Sequence, residues 1–287
     1  MEEVNSTANA IEATPPFAGR RAIIYGAARG IGRAVALEFA RRGAHVGVAD
    51  IDLAGAQTTA ADIVLSGGSA IGLKCDVLSS ESVRGAAEQA EAALGELDMV
   101  MNNVGVILGG FPEDIPLSEW ERVLGLNLMS VVRSLEVFLP KFLARGSGYI
   151  INTASFAGLY PYAFTRMPYV AAKAAVVALS ESLALYLVPK GIQVSCLCPG
   201  PVMTRVAEGM KAWTANAPMA GPGSQFTVKS AEQTATLLAD GMRDGRIMIS
   251  TDDQVWTTVL RHAEDPDRFI HEKIAEFARG EWGIPGR

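Results

Sequence analysis

From Arg21 the chain runs through a short apolar stretch to Tyr25 and then Gly26-Ala27-Ala28-Arg29-Gly30-Ile31-Gly32. Val35, Leu37, Phe39 and Ala40 come next at helical spacing through Arg42. A strand that enters a glycine loop and leaves as a helix is the arrangement that binds a dinucleotide. The glycines let backbone approach the pyrophosphate, and the helix N-terminus offers free N-H groups and positive potential. The spacing is G-x-x-x-G-x-G, a variant of the usual fingerprint, and a plain glycine-rich turn is the competing reading.

The chain beyond Arg42 keeps to the same rhythm. Strands are expected at His45–Ala49, Ala70–Lys74, Asp98–Met101, Tyr149–Thr153 and Arg246–Ser250, with helices at Leu53–Leu65, after the turn Cys75-Asp76-Val77 through about Leu94, and over Leu117–Leu143. An unbroken alternation of this kind predicts one α/β domain with a parallel sheet, although the length alone would allow two. Tyr149–Thr153 is nearly all apolar, as a strand covered on both faces should be.

Ligands bind at the carboxyl ends of such strands, so Gly26, Asp50, Asp76, Asn102 and Ser155 should gather along one edge. Asp50 ends the second strand, where an acid can accept hydrogen bonds from an adenosine ribose and would repel a 2'-phosphate. That favours NAD over NADP. Arg29 in the loop argues the other way, since a guanidinium would welcome the phosphate. Asp76, next to Val77, is within reach of an adenine amino group, and Asn102-Asn103-Val104-Gly105 suits a site wall with a close backbone approach. Asn127 sits among Leu124, Leu126, Leu128 and Val131, so its amide is expected to be hydrogen-bonded to backbone or water.

Tyr169-Val170-Ala171-Ala172-Lys173 places a phenol and an ammonium four residues apart on one helical face. A cation there would lower the Tyr169 pKa towards neutrality and suit it to general acid/base work. In isolation such a pair is as readily an ordinary surface pair.

The composition narrows the partners. With 25 Lys and Arg against 31 Asp and Glu, a formal net charge of -6 works against nucleic acid or an anionic membrane surface. Residues 1–16 read as a polar disordered leader without a signal-peptide core, which makes the cytoplasm the default location. Cys75, Cys196 and Cys198 fit neither a disulfide framework nor a metal motif, and Cys196 and Cys198 should share one face of a strand. His45, His262 and His271 are scattered, so no protein-bound metal is expected.

Together Gly26, Gly30, Gly32, Asn102 to Gly105, Asn127, Ser155, Tyr169 to Lys173, and Pro199-Gly200 with Thr204 resemble the ordered motifs of a classical short-chain dehydrogenase/reductase. The likeness covers roughly residues 20 to 205. It implies a Rossmann-type, doubly wound parallel sheet of seven strands and a catalytic tetrad of Asn127, Ser155, Tyr169 and Lys173. Lys173 would hold the nicotinamide ribose, Ser155 the carbonyl oxygen and Asn127 a water. Cofactor contacts are expected at Gly26, Arg29, Gly30, Ile31, Gly32, Asp50, Asp76 and Val77. Further contacts are expected at Asn103, Val104, Gly105, Tyr169, Lys173, Pro199, Gly200, Val202 and Thr204. The chain departs from the family habit at Tyr25 and Val104, where threonine and alanine are usual.

The Rossmann-type domain is expected over 17–250, with an apolar substrate cover at 201–226 and a charged helical extension over 251–287. Met203, Val206, Met210, Trp213, Met219 and Phe226 suit a cover that closes over a pocket. Phe156, Tyr160, Tyr162 and Phe164 are expected to add aromatic surface. These features point to a bulky apolar or aromatic secondary alcohol and its ketone, handled by a homodimer or homotetramer. The extension stands where the family usually ends in a glycine-rich strand that helps form a tetramer. Pairing through the helices beginning near Leu117 and Tyr169 would still make a dimer. Two other readings remain at this level: an NADPH-dependent carbonyl reductase using Arg29, and an NAD(H)-binding regulator without chemistry.

Overall fold

The computed structural model describes residues 17–203 and 210–285. The expected leader, and Thr204 and Val206 of the expected cover, lie outside them. Strand and helix alternate through β1 (Arg21–Tyr25), α1 (Gly30–Arg41), β2 (His45–Asp50), α2 (Leu53–Leu65), β3 (Ser69–Lys74), α3 (Ser80–Leu94) and β4 (Met99–Asn102). After a short β5 (Leu108–Gly109) come α4 (Leu117–Leu124), α5 (Ser130–Arg145), β6 (Gly148–Thr153), α6 (Met167–Leu187) and β7 (Ile192–Cys198). The short strands β8 (Val202–Met203), β9 (Lys211–Ala212) and β10 (Lys229–Ser230) lead to α7 (Ala231–Arg243), β11 (Met248–Ser250), α8 (Val255–Glu264) and α9 (Pro266–Ala278).

Seven strands form one sheet in the order β3-β2-β1-β4-β6-β7-β11, and each neighbouring pair is parallel. Parallel neighbours need crossovers, which lay helices on both faces and bury the central strands, β4 at all four positions, while the edge strand β3 stays mostly half-buried. Ile24, Val46, Val48 and Ile151 therefore meet Phe39 and Leu238 in one apolar layer. Ile23, Val100 and Ile150 meet Phe138, Phe142 and Leu187 in the other. The strand order reverses between β1 and β4, and a crevice opens at the carboxyl ends there. This is the doubly wound Rossmann-type architecture.

The helix expected over Leu117–Leu143 is interrupted. Gly125–Met129 forms a π-turn between α4 and α5. Its cause is Asn127, whose Nδ2 donates to Val123 O at 2.9 Å and to Val106 O at 3.1 Å, while Oδ1 accepts from Val106 N at 3.2 Å. The amide is pinned between its own helix and the loop after β4, so the helix widens to keep it there. By length and composition, Leu117–Arg145 and Met167–Lys190 would each be long and apolar enough to cross a membrane. Here their apolar faces lie on the sheet, through Phe138 and Phe142 of α5 and Leu183 and Leu187 of α6.

Beyond β11 the chain folds back over the carboxyl end of the sheet. Val255 and Phe269 enter a core with Phe156, Tyr160, Tyr162 and Phe226. Phe277 and Trp282 stack with ring centroids 5.6 Å apart, and Phe164 lies 5.3 Å from Phe277. The tail then grips the segment before α7: Gly221 N donates to Trp282 O at 2.7 Å and Gly223 N to Gly283 O at 2.9 Å. Charged along its surface, the extension is still an integral wall of the fold.

Candidate active site

A cleft of about 700 Å³ runs along the carboxyl ends of the central strands. It gathers Gly26, Arg29, Gly30 and Ile31 after β1, Asp50 at the end of β2, Asp76 and Val77 after β3, and Asn103, Val104 and Gly105 after β4. Ser155 after β6, Pro199, Gly200 and Val202 after β7, and Tyr169 and Lys173 of α6 complete the lining. Gly32 and Asn127 stand behind that surface and shape it.

The glycine loop is built for close approach. Gly26 and Gly30 adopt φ of +78° and +59°, in the left-handed region that glycine enters without penalty. A Cβ on Gly32 would strike Gly26 O and come within 2.6 Å of Asn103 Nδ2. The loop, the first turn of α1 and the end of β4 are thus closed on one another. Asn103 holds that closure, donating to Gly26 O at 3.1 Å and accepting from Thr153 Oγ1 at 3.2 Å. Asp50 accepts from Ala28 N at 3.0 Å and Asp52 N at 2.9 Å, which fixes its carboxylate beside the loop. A concave backbone with an acid at its far end fits a pyrophosphate and the ribose beyond it.

At the other end Lys173, only 3% exposed, donates to Thr153 O at 2.6 Å, and its Nζ lies 5.8 Å from the centre of the Tyr169 ring. Desolvation lowers the Lys173 pKa to about 8, against the partial opposition of Cys196 and Cys198. A Cβ on Gly105 would lie 2.9 Å from Asn127 Oδ1 and 3.3 Å from Lys173 Nζ, so this glycine is what lets the amide and the ammonium share one wall. Ser155, 8% exposed, caps a short turn by accepting from Ala157 N at 3.2 Å.

The Tyr169 phenol differs from the sequence expectation. Its pKa is raised, because burial outweighs a hydrogen bond with Ser155 and the charge of Arg166, both of which act downwards. The ammonium that was to lower it is turned onto the Thr153 carbonyl. Burial of both head groups opposes charge on each.

The aromatic residues also divide differently. Of those between Ser155 and Tyr169, only Tyr162 lines the cleft. Phe156 packs on Phe226 with centroids 5.2 Å apart, Tyr160 donates to Pro222 O at 2.7 Å, and Phe164 joins Phe277. They hold the wall in place from behind. Met203 is 76% exposed, and Met210 and Met219 lie near Gly109, so the cover meets the cleft through Pro201, Val202, Gly221 and Pro222 instead. Val106, Leu108, Ile115, Val123, Trp120 and Trp213 build an apolar cluster against one side of Tyr169.

Among the cleft residues that sequence reading did not single out are Thr153, Pro222 and Arg166. Thr153 contributes a backbone carbonyl, which no residue type announces. Pro222 reaches the cleft only because the tail holds its neighbours. Arg166 carried no such signal, because it is the non-helical residue just before α6 and not a member of the helical repeat that holds Tyr169. Among the described residues no group of His, Cys, Asp or Glu is arranged to hold a metal ion. Cys196 and Cys198 do share a face, with sulfurs 3.9 Å apart.

The fold and this cleft define a dinucleotide-binding oxidoreductase framework. Residues 20–215 match the family model described as short chain dehydrogenase. The chain belongs to the short-chain dehydrogenase/reductase family, whose members are oxidoreductases that use a nicotinamide cofactor on small molecules. It is similar to a cyclohexanol dehydrogenase of an Acinetobacter species, with 38% identity over 190 residues, covering 66% of this chain and 75% of that protein. A D-threitol dehydrogenase of Mycolicibacterium smegmatis is 33% identical over 195 residues, covering 68% of this chain and 74% of that one. Among solved structures, a short chain dehydrogenase/reductase from Burkholderia phymatum in complex with NAD superposes with a TM-score of 0.77. It is 31% identical, covering 88% of this chain and 95% of that one.

Proposed function

We propose that this protein transfers a hydride between NAD(H) and a bulky, largely apolar or aromatic secondary alcohol or its ketone. The observation that carries this reading is the meeting of Ser155, Tyr169 and Lys173 at one end of the cleft that the glycine cradle and Asp50 close at the other. Gly26, Gly30 and Gly32 with the α1 N-terminus would hold the pyrophosphate, Asp50 the adenosine ribose, and Lys173 the nicotinamide ribose. Bound NAD would supply the hydride acceptor.

The chain itself moves the proton and holds the substrate. Ser155 donates to the substrate oxygen, and Tyr169 exchanges the hydroxyl proton with it. Lys173 carries its charge next to that exchange, and Asn127 braces the loop through Val106 so that Gly105 can lie against both. A phenol whose pKa is raised by burial stays protonated at neutral pH. It is ready to donate in ketone reduction, whereas alcohol oxidation needs the phenolate. Oxidation should therefore accelerate as pH rises, and reduction should not. The apolar cluster beside Tyr169 and the similarity to a cyclohexanol dehydrogenase support an apolar ring as substrate body.

Fluorescence titration with NADH and with NADPH tests the cofactor without any guess about substrate. NADH should bind at least about tenfold more tightly, the effect of one charge-assisted contact, and Asp50→Ala should erase most of that margin. Preference for NADPH would instead favour the reductase reading through Arg29. Cyclohexanol and 1-phenylethanol should then be oxidised with NAD faster than threitol, and the reverse order would reject the apolar pocket.

Chains pair through α4–α5 and α6. Leu117 and Leu185 on these helices are 73% and 82% exposed, and covering them is the gain that drives pairing. Light scattering on the purified protein should give at least a dimer.

A further inference from the structure

At the substrate end of the cleft stands a guanidinium that no carboxylate among the described residues pairs with. Arg166 immediately precedes α6 and lines the cleft together with Ser155, Tyr162 and Tyr169. Its Cζ lies 5.7 Å from the centre of the Tyr162 ring, and one terminal nitrogen donates to Ala220 O in the wall before α7. Its Nε is buried and has no hydrogen-bond partner among the described residues. Of the other basic groups in the cleft, Arg29 stands at the glycine-loop end and Lys173 already donates to Thr153 O at 2.6 Å. Asp50 and Asp76 lie at the ends of β2 and β3, at the adenosine end. Arg122 is paired with Glu119 at 2.9 Å. No carboxylate among the described residues pairs with Arg166.

Burying a guanidinium donor without an acceptor costs free energy that the fold recovers only if something else supplies the acceptor. An arginine offers a planar fork that matches a carboxylate. The surroundings are otherwise of two kinds: the apolar cluster of Val106, Leu108 and Trp213 on one side of Tyr169, and the Tyr162 ring with Arg166 on the other. A neutral hydrocarbon alcohol would satisfy the first and leave the second unmet.

Building on the hydride-transfer reading above, we infer that the substrate is a hydroxy acid: an apolar ring or chain whose secondary hydroxyl lies at Tyr169 and Ser155 and whose carboxylate is received by Arg166. The carboxylate stays chemically untouched. It orients the carbinol carbon and favours the acid over neutral alcohols of the same shape, which offer Arg166 no acceptor.

The test uses matched substrates on the full chain with NAD: 4-hydroxycyclohexanecarboxylate, its methyl ester and cyclohexanol. The acid should exceed the ester in kcat/KM by about 10- to 100-fold, the range of a charge-assisted hydrogen bond. Arg166→Gln should collapse that ratio towards one, and Arg166→Lys, which keeps the charge and loses the fork, should retain part of it. NADH titration of each variant checks that the fold and cofactor site survive, and the wild-type ratio needs no variant at all. Oxidation of cyclohexanol with no acid preference, or a ratio unchanged in Arg166→Gln, overturns the carboxylate assignment and leaves hydride transfer standing. NADH binding without oxidation of any of the three compounds overturns both.

Discussion

Tyr169→Phe lowers turnover of any alcohol the enzyme accepts by roughly 10²- to 10⁴-fold, the usual contribution of a placed general acid or base. The substitution removes one oxygen, whose hydrogen-bond partner is the cleft residue Ser155 and not a core group. Thermal stability and NADH affinity should therefore stay close to those of the parent chain. That separation is the measurement: steady-state rates beside a melting curve and a fluorescence titration. Retention of more than a few percent of the rate with both controls intact would remove Tyr169 from the proton path and with it the proposed mechanism.

Lys173→Met should abolish activity while changing stability in a pH-dependent way that only a buried cation produces. The folded pKa of about 8 lies below the value of 10.5 in the unfolded chain. Between these limits the unfolded state holds a proton that the folded state has released, so the parent protein gains stability as pH rises through this window. Below pH 8 the folded chain bears the full penalty of the buried charge, about 3 kcal/mol by the size of the shift. Methionine has no such penalty, although it leaves the Thr153 carbonyl without its donor. Denaturant unfolding without nucleotide should show the variant best placed relative to the parent near pH 7, and losing that relative advantage towards pH 10.5. A pH-independent difference would mean that Lys173 is not desolvated as the fold places it.

These two residues also mark where sequence reading stops. Their spacing alone put phenol and ammonium on one helical face, and α6 does carry both into the cleft. It did not reveal that Lys173 would point at a backbone carbonyl and that burial would push the Tyr169 pKa upwards, because solvent exclusion is created by elements far away in the chain. Asn127 is similar. That its amide needed partners was evident from its apolar neighbours, whereas the choice of Val106 and the resulting π-turn depended on how the loop after β4 returns to α4.

Periodicity and glycine placement are local properties, set by steric limits on a few consecutive residues, so the amino-acid sequence by itself determined the alternating strands and helices, the parallel sheet and the row of strand ends along the cleft. The substrate end obeys no such local rule. Phe164 and Tyr160, expected on the pocket surface, turn away because Phe277, Trp282 and Phe269 of the extension offer them a drier packing site. Pro222 and Arg166 face the cleft because the tail backbone and Ala220 hold them there. Which side chains line that end of the cleft was decided by long-range competition for burial and hydrogen bonds, and only the tertiary structure resolves that competition.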